Sequence, residues 1–276
     1  MPLTFAPTPI GNLDDLSFRA LDRLTKGEIF FCEDTRVTKK LLTLLAKRHK
    51  VVFYPNPQLI ALHSHNEKEV IEKLDRALFD RACVYVSDAG TPCLSDPGAL
   101  LVDYAIKNKI EYEVLPGANA AITAFAASGL LQDRFIFYGF LPHKAEARRA
   151  ELKRALGFPF AIVLYESPHR ILDFAALIGS IAPKRRVCAF KEMTKLYEKR
   201  FFGLADELES AVCAMNPKGE WTIIIAADEA PKNDQNDWLI DELQNLNAPI
   251  KPLSKILAKL TDKKAGEWYE KLRRSR

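Results

Sequence analysis

The stretch ACVYVSDAGTPCLSDPG, residues 82–98, decides how this chain is read. An apolar run, Val84 to Val86, stops in a loop of small and turn-forming residues, Ser87, Asp88, Ala89, Gly90 and Thr91. A short apolar run bounded by turn signals describes a buried central strand. In open α/β sheets ligands settle beyond the carboxyl ends of strands, where loop backbone comes close to them. Residues 87–91 therefore read as a loop built to be approached, although the same composition also suits an ordinary strand-to-helix turn.

Outward from this stretch, the strand-like runs LTFAPTPIG, GEIFFCEDT, LIALHSH and IEYEVLPG alternate with helical stretches at 16–25, 38–45, 67–79 and 100–107. That alternation predicts a mainly parallel sheet with helices on its faces. Asn66 and Glu69 have the spacing of a capping box, followed by the apolar face Val70, Ile71, Leu74, Ala77 and Leu78. After Pro116 and Gly117 the rhythm changes. A small-residue helix at 120–128 precedes the strands RFIFYGF, FAIVLYES, RVCAFKEMT, KRFFG and EWTIIIAAD, with helices near 146–156 and 171–178. The close succession of the later strands predicts antiparallel neighbours and a mixed sheet.

The expected fold class is thus α/β: an N-terminal α/β domain over 1–115 and a C-terminal α/β domain with a mixed sheet over 116–229, leaving a cleft between them. A linker over 230–250 carries one short helix at 238–246, and a basic helical module closes the chain over 251–276. In that module Ser254 is expected to cap a helix containing Ile256, Leu257 and Leu260.

At 276 residues and 48% hydrophobic, the chain can bury two cores of ordinary domain size. No apolar run approaches the roughly 20 residues that cross a bilayer, and MPLTFAPTPIGN has neither a basic n-region nor an apolar h-region. A cytoplasmic protein without a membrane partner is expected. The five cysteines are scattered and the five histidines lack metal-site spacing, so neither disulfides nor a metal are expected. Net charge is +4, unevenly spread: residues 251–276 hold nine Lys or Arg against three Asp or Glu, or +6, leaving 31 minus 33, or −2, for the rest. Such a tail suits a polyanion such as nucleic acid, or a solvated helix face.

Other strand ends carry polar residues in unusual density. PTPIGN follows the first strand, EDTR the second, HSHN the third and PGAN the fifth, while YESPHR and KEMTKLYE close strands of the second domain. PTPIGN is neither a Walker A loop nor a GxGxxG fingerprint. In EDTR, an exposed Asp34/Arg36 ion pair with a helix cap is the plain alternative to a functional role.

The series PTPIGNLDDLSFRAL, CEDTRVTKKLL, LHSHNE, VSDAGTPCLSDPG, LPGANAAITAFAASGL, FYGFLPHK, YESPHRIL, KEMTKLYE and GEWTIII resembles, in order and over nearly the whole chain, the bacterial 16S ribosomal RNA (cytidine 2′-O)-methyltransferase group of the tetrapyrrole methylase superfamily. PIGNL, EDTR, SDAGTP and YESPHR are its most specific motifs.

The resemblance implies S-adenosylmethionine bound in the cleft, a homodimer, and as acceptor a cytidine ribose in the decoding region of 16S ribosomal RNA within the small ribosomal subunit. It implies cofactor contacts from Pro9, Gly11, Ser87, Asp88, Ala89, Gly90, Thr91, Gly117, Asn119, Tyr165, Glu166, Gly219, Glu220 and Trp221. A ribose hydroxyl needs a general base, for which Glu33, Asp34, His63, Glu166, His169 and Glu192 are candidates. Glu33 or Asp34 with Arg36 is favoured near the acceptor, with His169 alongside; Arg36 alternatively orients the cofactor carboxylate. RNA contacts are expected from His63, Arg170, Lys195, Lys263, Lys264, Arg273 and Arg274. Two other readings stay open: a tetrapyrrole or other small-molecule acceptor on the same fold, and a non-catalytic RNA-binding or assembly factor.

Overall fold

The computed structural model describes residues 3–131, 133–227, 242–243, 246, 248–261 and 263–275, without the side chains of 274 and 275. The helix expected at 238–246 falls largely outside these residues. Two compact units emerge: Met1–Ala127 with Phe190–Arg200 and Gly219–Thr222, and Ser128–Ala189 with Phe201–Lys218 and Ile223–Arg276. The first unit therefore runs past the expected boundary at 115 and takes in two later segments.

In the first unit, β1 (Leu3–Phe5), β2 (Ile29–Cys32), β3 (Gln58–Ala61), β4 (Cys83–Val86) and β5 (Tyr112–Val114) form a sheet in the order β3-β2-β4-β1-β5. Every pairing is parallel, with Phe31 opposite both Ile60 and Tyr85. Because side chains alternate along a strand, β2 and β4 feed two cores at once. Phe5, Ile29, Phe31, Cys83 and Tyr85 pack with Leu101 and Ala105 on one face. Phe30, Cys32, Val84 and Val86 pack with Leu24, Leu42 and Leu45 on the other. Leu24 belongs to α1 (Phe18–Lys26), Leu42 and Leu45 to α2 (Thr35–His49). On the opposite face, α4 (Ala99–Lys107) supplies Leu101 and Ala105, beside the short α3 (Glu67–Glu72). The helix α5 (Ala120–Ala127) completes the unit.

The second sheet has the order β6-β7-β10-β8-β9, from β6 (Phe135–Phe140), β7 (Ala161–Glu166), β8 (Arg186–Lys191), β9 (Lys199–Leu204) and β10 (Trp221–Ile225). Strands β6 and β7 run parallel. Hydrogen bonds from Glu192 N–H to Glu220 O and from Ala226 N–H to Arg186 O bracket β8 and β10 in opposite chain directions, so this pair is antiparallel and the sheet is mixed. The helices α6 (Ala145–Leu156), α7 (Ile171–Ile181) and α8 (Leu208–Met215) accompany it. Finally α9 (Ile250–Leu260) and α10 (Ala265–Ser275) close a small core of Leu253, Leu257, Trp268 and Leu272.

Three local expectations change. The helix expected over 67–79 stops at Glu72 and resumes as a 3-10 turn at Arg76–Asp80, because the Asp75 carboxylate captures the Ala77 N–H. The Asn66/Glu69 capping box does not form: the Asn66 side chain instead ties down the end of β3, accepting from His63 N–H (2.8 Å) and donating to Ala61 O (3.0 Å). Ser254 lies inside α9, its hydroxyl donating to Lys251 O, since Pro252 fits the first turn of a helix that begins at Ile250. Among the described residues no helix is long and apolar enough to cross a membrane.

Candidate functional site

Strand order places β1, β4 and β2 side by side, and their carboxyl ends deliver PTPIGN, SDAGTP and EDTR to one rim of the first unit. Thr8 and Gly90 bridge the first two loops through paired backbone bonds, Thr8 N–H to Gly90 O (2.9 Å) and Gly90 N–H to Thr8 O (3.0 Å). The buried Thr8 hydroxyl donates to Ser87 O (3.2 Å), and Ser87 Oγ donates to Gly90 O (3.4 Å). Gly90 has φ +87°, a left-handed conformation that glycine adopts without steric cost. The 87–91 loop is thus held in shape by its own backbone and needs no bulky side chain to fix it.

The PGAN loop joins the same rim. Thr91 Oγ1 donates to Ala118 O (3.0 Å), and a Cβ at Gly117 would lie 2.2 Å from Pro7 Cγ, so only glycine lets the two loops touch. The Asn119 side chain is engaged as the cap of α5, accepting from Ile122 N–H (3.0 Å). A Cβ at Gly11 would sit 2.5 Å from Lys195 Cγ and 2.6 Å from Thr194 Oγ1. Glu192 and Thr194, on that facing segment, hold positive φ angles of 53° and 65°. Non-glycine residues persist in this region only when their surroundings over-determine it.

Carboxylates gather on the rim. Asp88 N–H donates to Glu33 Oε2 (3.4 Å), and Asp34 N–H donates to Asp88 Oδ1 (3.1 Å), so the ends of β2 and β4 are cross-tied through acidic side chains. Burial raises Glu33 and Asp88 above their ordinary values; the charges of Asp88 and Asp34 raise Glu33 further, and that of Asp34 raises Asp88. Asp34 behaves oppositely: hydrogen bonds from the Arg36 guanidinium, at 2.7 to 3.2 Å, lower it to about 2. Asp34 also caps α2 by accepting from Arg36 N–H (2.7 Å), which is the exposed pair with a helix cap that the sequence allowed. The buried Nδ1 of His63, beside this cluster at the end of β3, has no hydrogen-bond partner among the described residues, and neither does Thr194 Oγ1.

Asp96 is a member of this cluster that sequence reasoning missed. Burial, reinforced by the charges of Glu33 and Asp88, pushes it up to about 7. Its loop is constrained on both sides. Tyr85 OH donates to Pro97 O (2.6 Å), the buried Glu67 carboxylate accepts from Gly98 N–H (2.8 Å) and Leu100 N–H (3.2 Å), and Cys93, Ser95 and Gly98 all have positive φ. The signal available in sequence was SDPG, which reads as a turn and does not reveal that its carboxylate feels the charge of Glu33.

The segments around Lys195 and Gly219 belong to the first unit, and the other expected residues to the second. Lys195 is held between Glu192 Oε1 (3.0 Å) and Glu220 Oε2 (2.7 Å), so its charge is already paired. Gly219, at φ +126°, packs on Glu192, and Trp221 is buried in β10. In the second unit Glu166 and Arg170 form a buried ion pair (2.8 Å), with Arg170 Nη1 donating to Leu141 O (3.1 Å). That pair ties the β7 loop to the end of β6. Tyr165 packs against Phe137 and Phe140, and His169 is exposed. In the terminal hairpin Lys263 Nζ lies 5.5 Å from the Trp268 ring centre, Lys264 is exposed, and Arg273 pairs loosely with Glu270 (3.8 Å). The side chain of Arg274 is outside the described residues.

The sequence matches the tetrapyrrole (corrin/porphyrin) methylase family over residues 2–209. It is 41% identical over 271 residues to the ribosomal RNA small subunit methyltransferase I of Campylobacter fetus subsp. fetus, covering 98% of this chain and 99% of that one. The protein of the same name from Helicobacter pylori J99 is 40% identical over 279 residues, with 97% and 96% covered. Among solved structures, uroporphyrin-III C-methyltransferase from Thermus thermophilus, complexed with S-adenyl homocysteine, shares the fold at TM-score 0.55 and 15% identity, over 81% of this chain and 97% of that one. The chain belongs to the tetrapyrrole methylase family and, within it, to the ribosomal RNA small subunit methyltransferase I group.

Proposed function

We propose that this chain transfers the methyl group of S-adenosylmethionine to the 2′ oxygen of a cytidine ribose in the decoding region of 16S ribosomal RNA, acting as a cytoplasmic homodimer on the small ribosomal subunit. The observation that carries the reading is the near end-to-end identity with ribosomal RNA small subunit methyltransferases I, which spans the basic terminal hairpin as well as the methylase fold. A tetrapyrrole acceptor is disfavoured on the same ground.

The rim fits such a cofactor. Left-handed Gly90, the small residues 87–91 and the glycine contact at Gly117 leave backbone rather than bulk at the strand ends, and the unpartnered His63 Nδ1 and Thr194 Oγ1 offer buried polar groups. When bound, the sulfonium supplies an electrophilic methyl group. Pro9, Gly11, residues 87–91, Gly117 and Asn119 are proposed to hold it, with Gly219, Glu220 and Trp221 from the same unit.

Glu33 is our assignment for the general base. A base works best with its pKa near the operating pH; burial moves Glu33 toward that range, whereas Arg36 holds Asp34 far below it. Asp34 and Arg36 then shape the rim, and the exposed His169 of the second unit is a proposed RNA contact. Glu33→Gln should leave S-adenosylmethionine affinity within about twofold by calorimetry and lower turnover on small subunits by roughly 10² to 10⁴. Undiminished turnover in that variant rules Glu33 out. Absence of S-adenosylmethionine binding by the wild type, or radiolabel appearing on uroporphyrinogen rather than on 16S RNA, rules out the function itself.

A further inference from the structure

We propose that the outer face of α2 is a phosphate track that leads the RNA strand to the rim, an inference that rests on the RNA substrate proposed above. The sequence 35–50 contains six Lys or Arg and no acidic residue, in a body of chain, residues 1–250, whose net charge is −2. At about 100° per residue, Lys39, Lys40 and Lys47 fall within roughly 60° of Arg36, along a face opposite the buried Thr38, Leu42 and Leu45, and Lys50 follows the helix as its left-handed C-cap. All five of these cations are exposed. Arg48 lies off this face and pairs with Asp14.

Helix electrostatics explain only half of the stripe. Lys47 and Lys50 at the carboxyl end complement the helix dipole, but Arg36, Lys39 and Lys40 sit near the positive amino end, where cations are unfavourable. Among the described residues Lys39, Lys40, Lys47 and Lys50 form no ion pair. Three exposed, unpaired cations in one row, with a fourth, Lys50, just past its end, want an external polyanion, and the row has a direction. It spans about 16 Å from Arg36 to Lys47, and its near end is fastened to the rim by the Asp34 N–H to Asp88 bond (3.1 Å). A strand lying on it is therefore led to the carboxylate cluster.

The test is filter binding of unmodified small ribosomal subunits across a potassium chloride series, with wild type and Lys39→Gln/Lys40→Gln/Lys47→Gln. For single-stranded contacts the slope of log K against log salt changes by about 0.7 per phosphate neutralised, so the triple variant should lose about 2 from the slope and bind roughly 50-fold more weakly at 0.15 M. Lys40→Gln alone should weaken binding about fourfold on the same basis. KM should rise with kcat and S-adenosylmethionine affinity unchanged, and the triple Lys→Arg variant should restore binding. Unaltered affinity and slope overturn the proposal, as does weaker binding with an unaltered slope, or a changed oligomeric state without an RNA effect. If the triple variant fails to fold, Lys40→Gln decides. Wild type that neither binds nor methylates RNA instead refutes the function, so the two failures are distinguishable.

Discussion

Replacing Asp96 by Asn separates a buried carboxylate from an ordinary turn residue. In the folded chain Asp96 is raised to about 7 from 3.8, by burial first and then by Glu33 and Asp88. Below pH 3.8 it is protonated in both folded and unfolded chains and contributes no difference. Between 3.8 and about 7 the unfolded chain releases its proton while the folded chain keeps it, so stability falls as pH rises and levels off above 7. A shift of about three units corresponds to roughly 4 kcal/mol at most. Because Asp96 is only partly buried, solvent screening reduces this to about 2 kcal/mol. Asn is neutral throughout, so Asp96→Asn should match wild type near pH 4 and melt about 4 to 8 °C higher at pH 8, at a few degrees per kcal/mol for a unit of this size. Scanning calorimetry at both pH values measures this. Parallel stability curves for the two proteins across pH 4 to 8 would show that Asp96 is an ordinary solvated carboxylate and refute the clustered-acid reasoning.

Other perturbations probe the loops and the tail. Gly117→Ala drives a methyl group to within 2.2 Å of Pro7, whose ring cannot swing aside, so the PGAN loop must shift at a cost of about 1 to 3 kcal/mol and S-adenosylmethionine affinity should fall measurably by calorimetry. Trp268→Ala empties the core of the terminal hairpin, a loss of about 3 to 5 kcal/mol where that core has four buried members among the described residues, and should open the hairpin to limited proteolysis and weaken RNA binding while S-adenosylmethionine binding persists. Native affinity for the cofactor in the first variant, or for RNA in the second, contradicts the role assigned.

The parallel sheet was legible because β2 and β4 are continuous apolar runs that end abruptly in charge, the pattern of strands buried on both faces. The rim loops were legible for the same reason: they follow those ends directly. Helix limits were less so. Reading 38–45 as a helix omits Arg36 and Lys47, and with them the cationic row that only a helix of Thr35–His49 aligns. Asn66 offered an N-cap in sequence, but its side chain found the β3 backbone, a competition that local propensity does not resolve.

Charge partners explain what stayed hidden at the site. Neighbouring residues in YESPHR suggested two independent functional groups, yet an i, i+4 spacing at the start of α7 joins Glu166 to Arg170 in a buried pair. EDTR likewise lists two adjacent carboxylates with equal claim to catalysis. What separates them is supplied from different distances: Arg36, two residues away, stabilises the Asp34 anion, whereas burial where the β2 and β4 loops meet raises Glu33, against the N–H that Asp88, 55 positions beyond it, donates. The choice of base therefore depends on a strand order, β2 beside β4, that no motif in either loop encodes, and the same adjacency gathers Asp96 into the cluster. Chemistry on this fold is set less by which acids the loops carry than by which strands the parallel sheet makes neighbours.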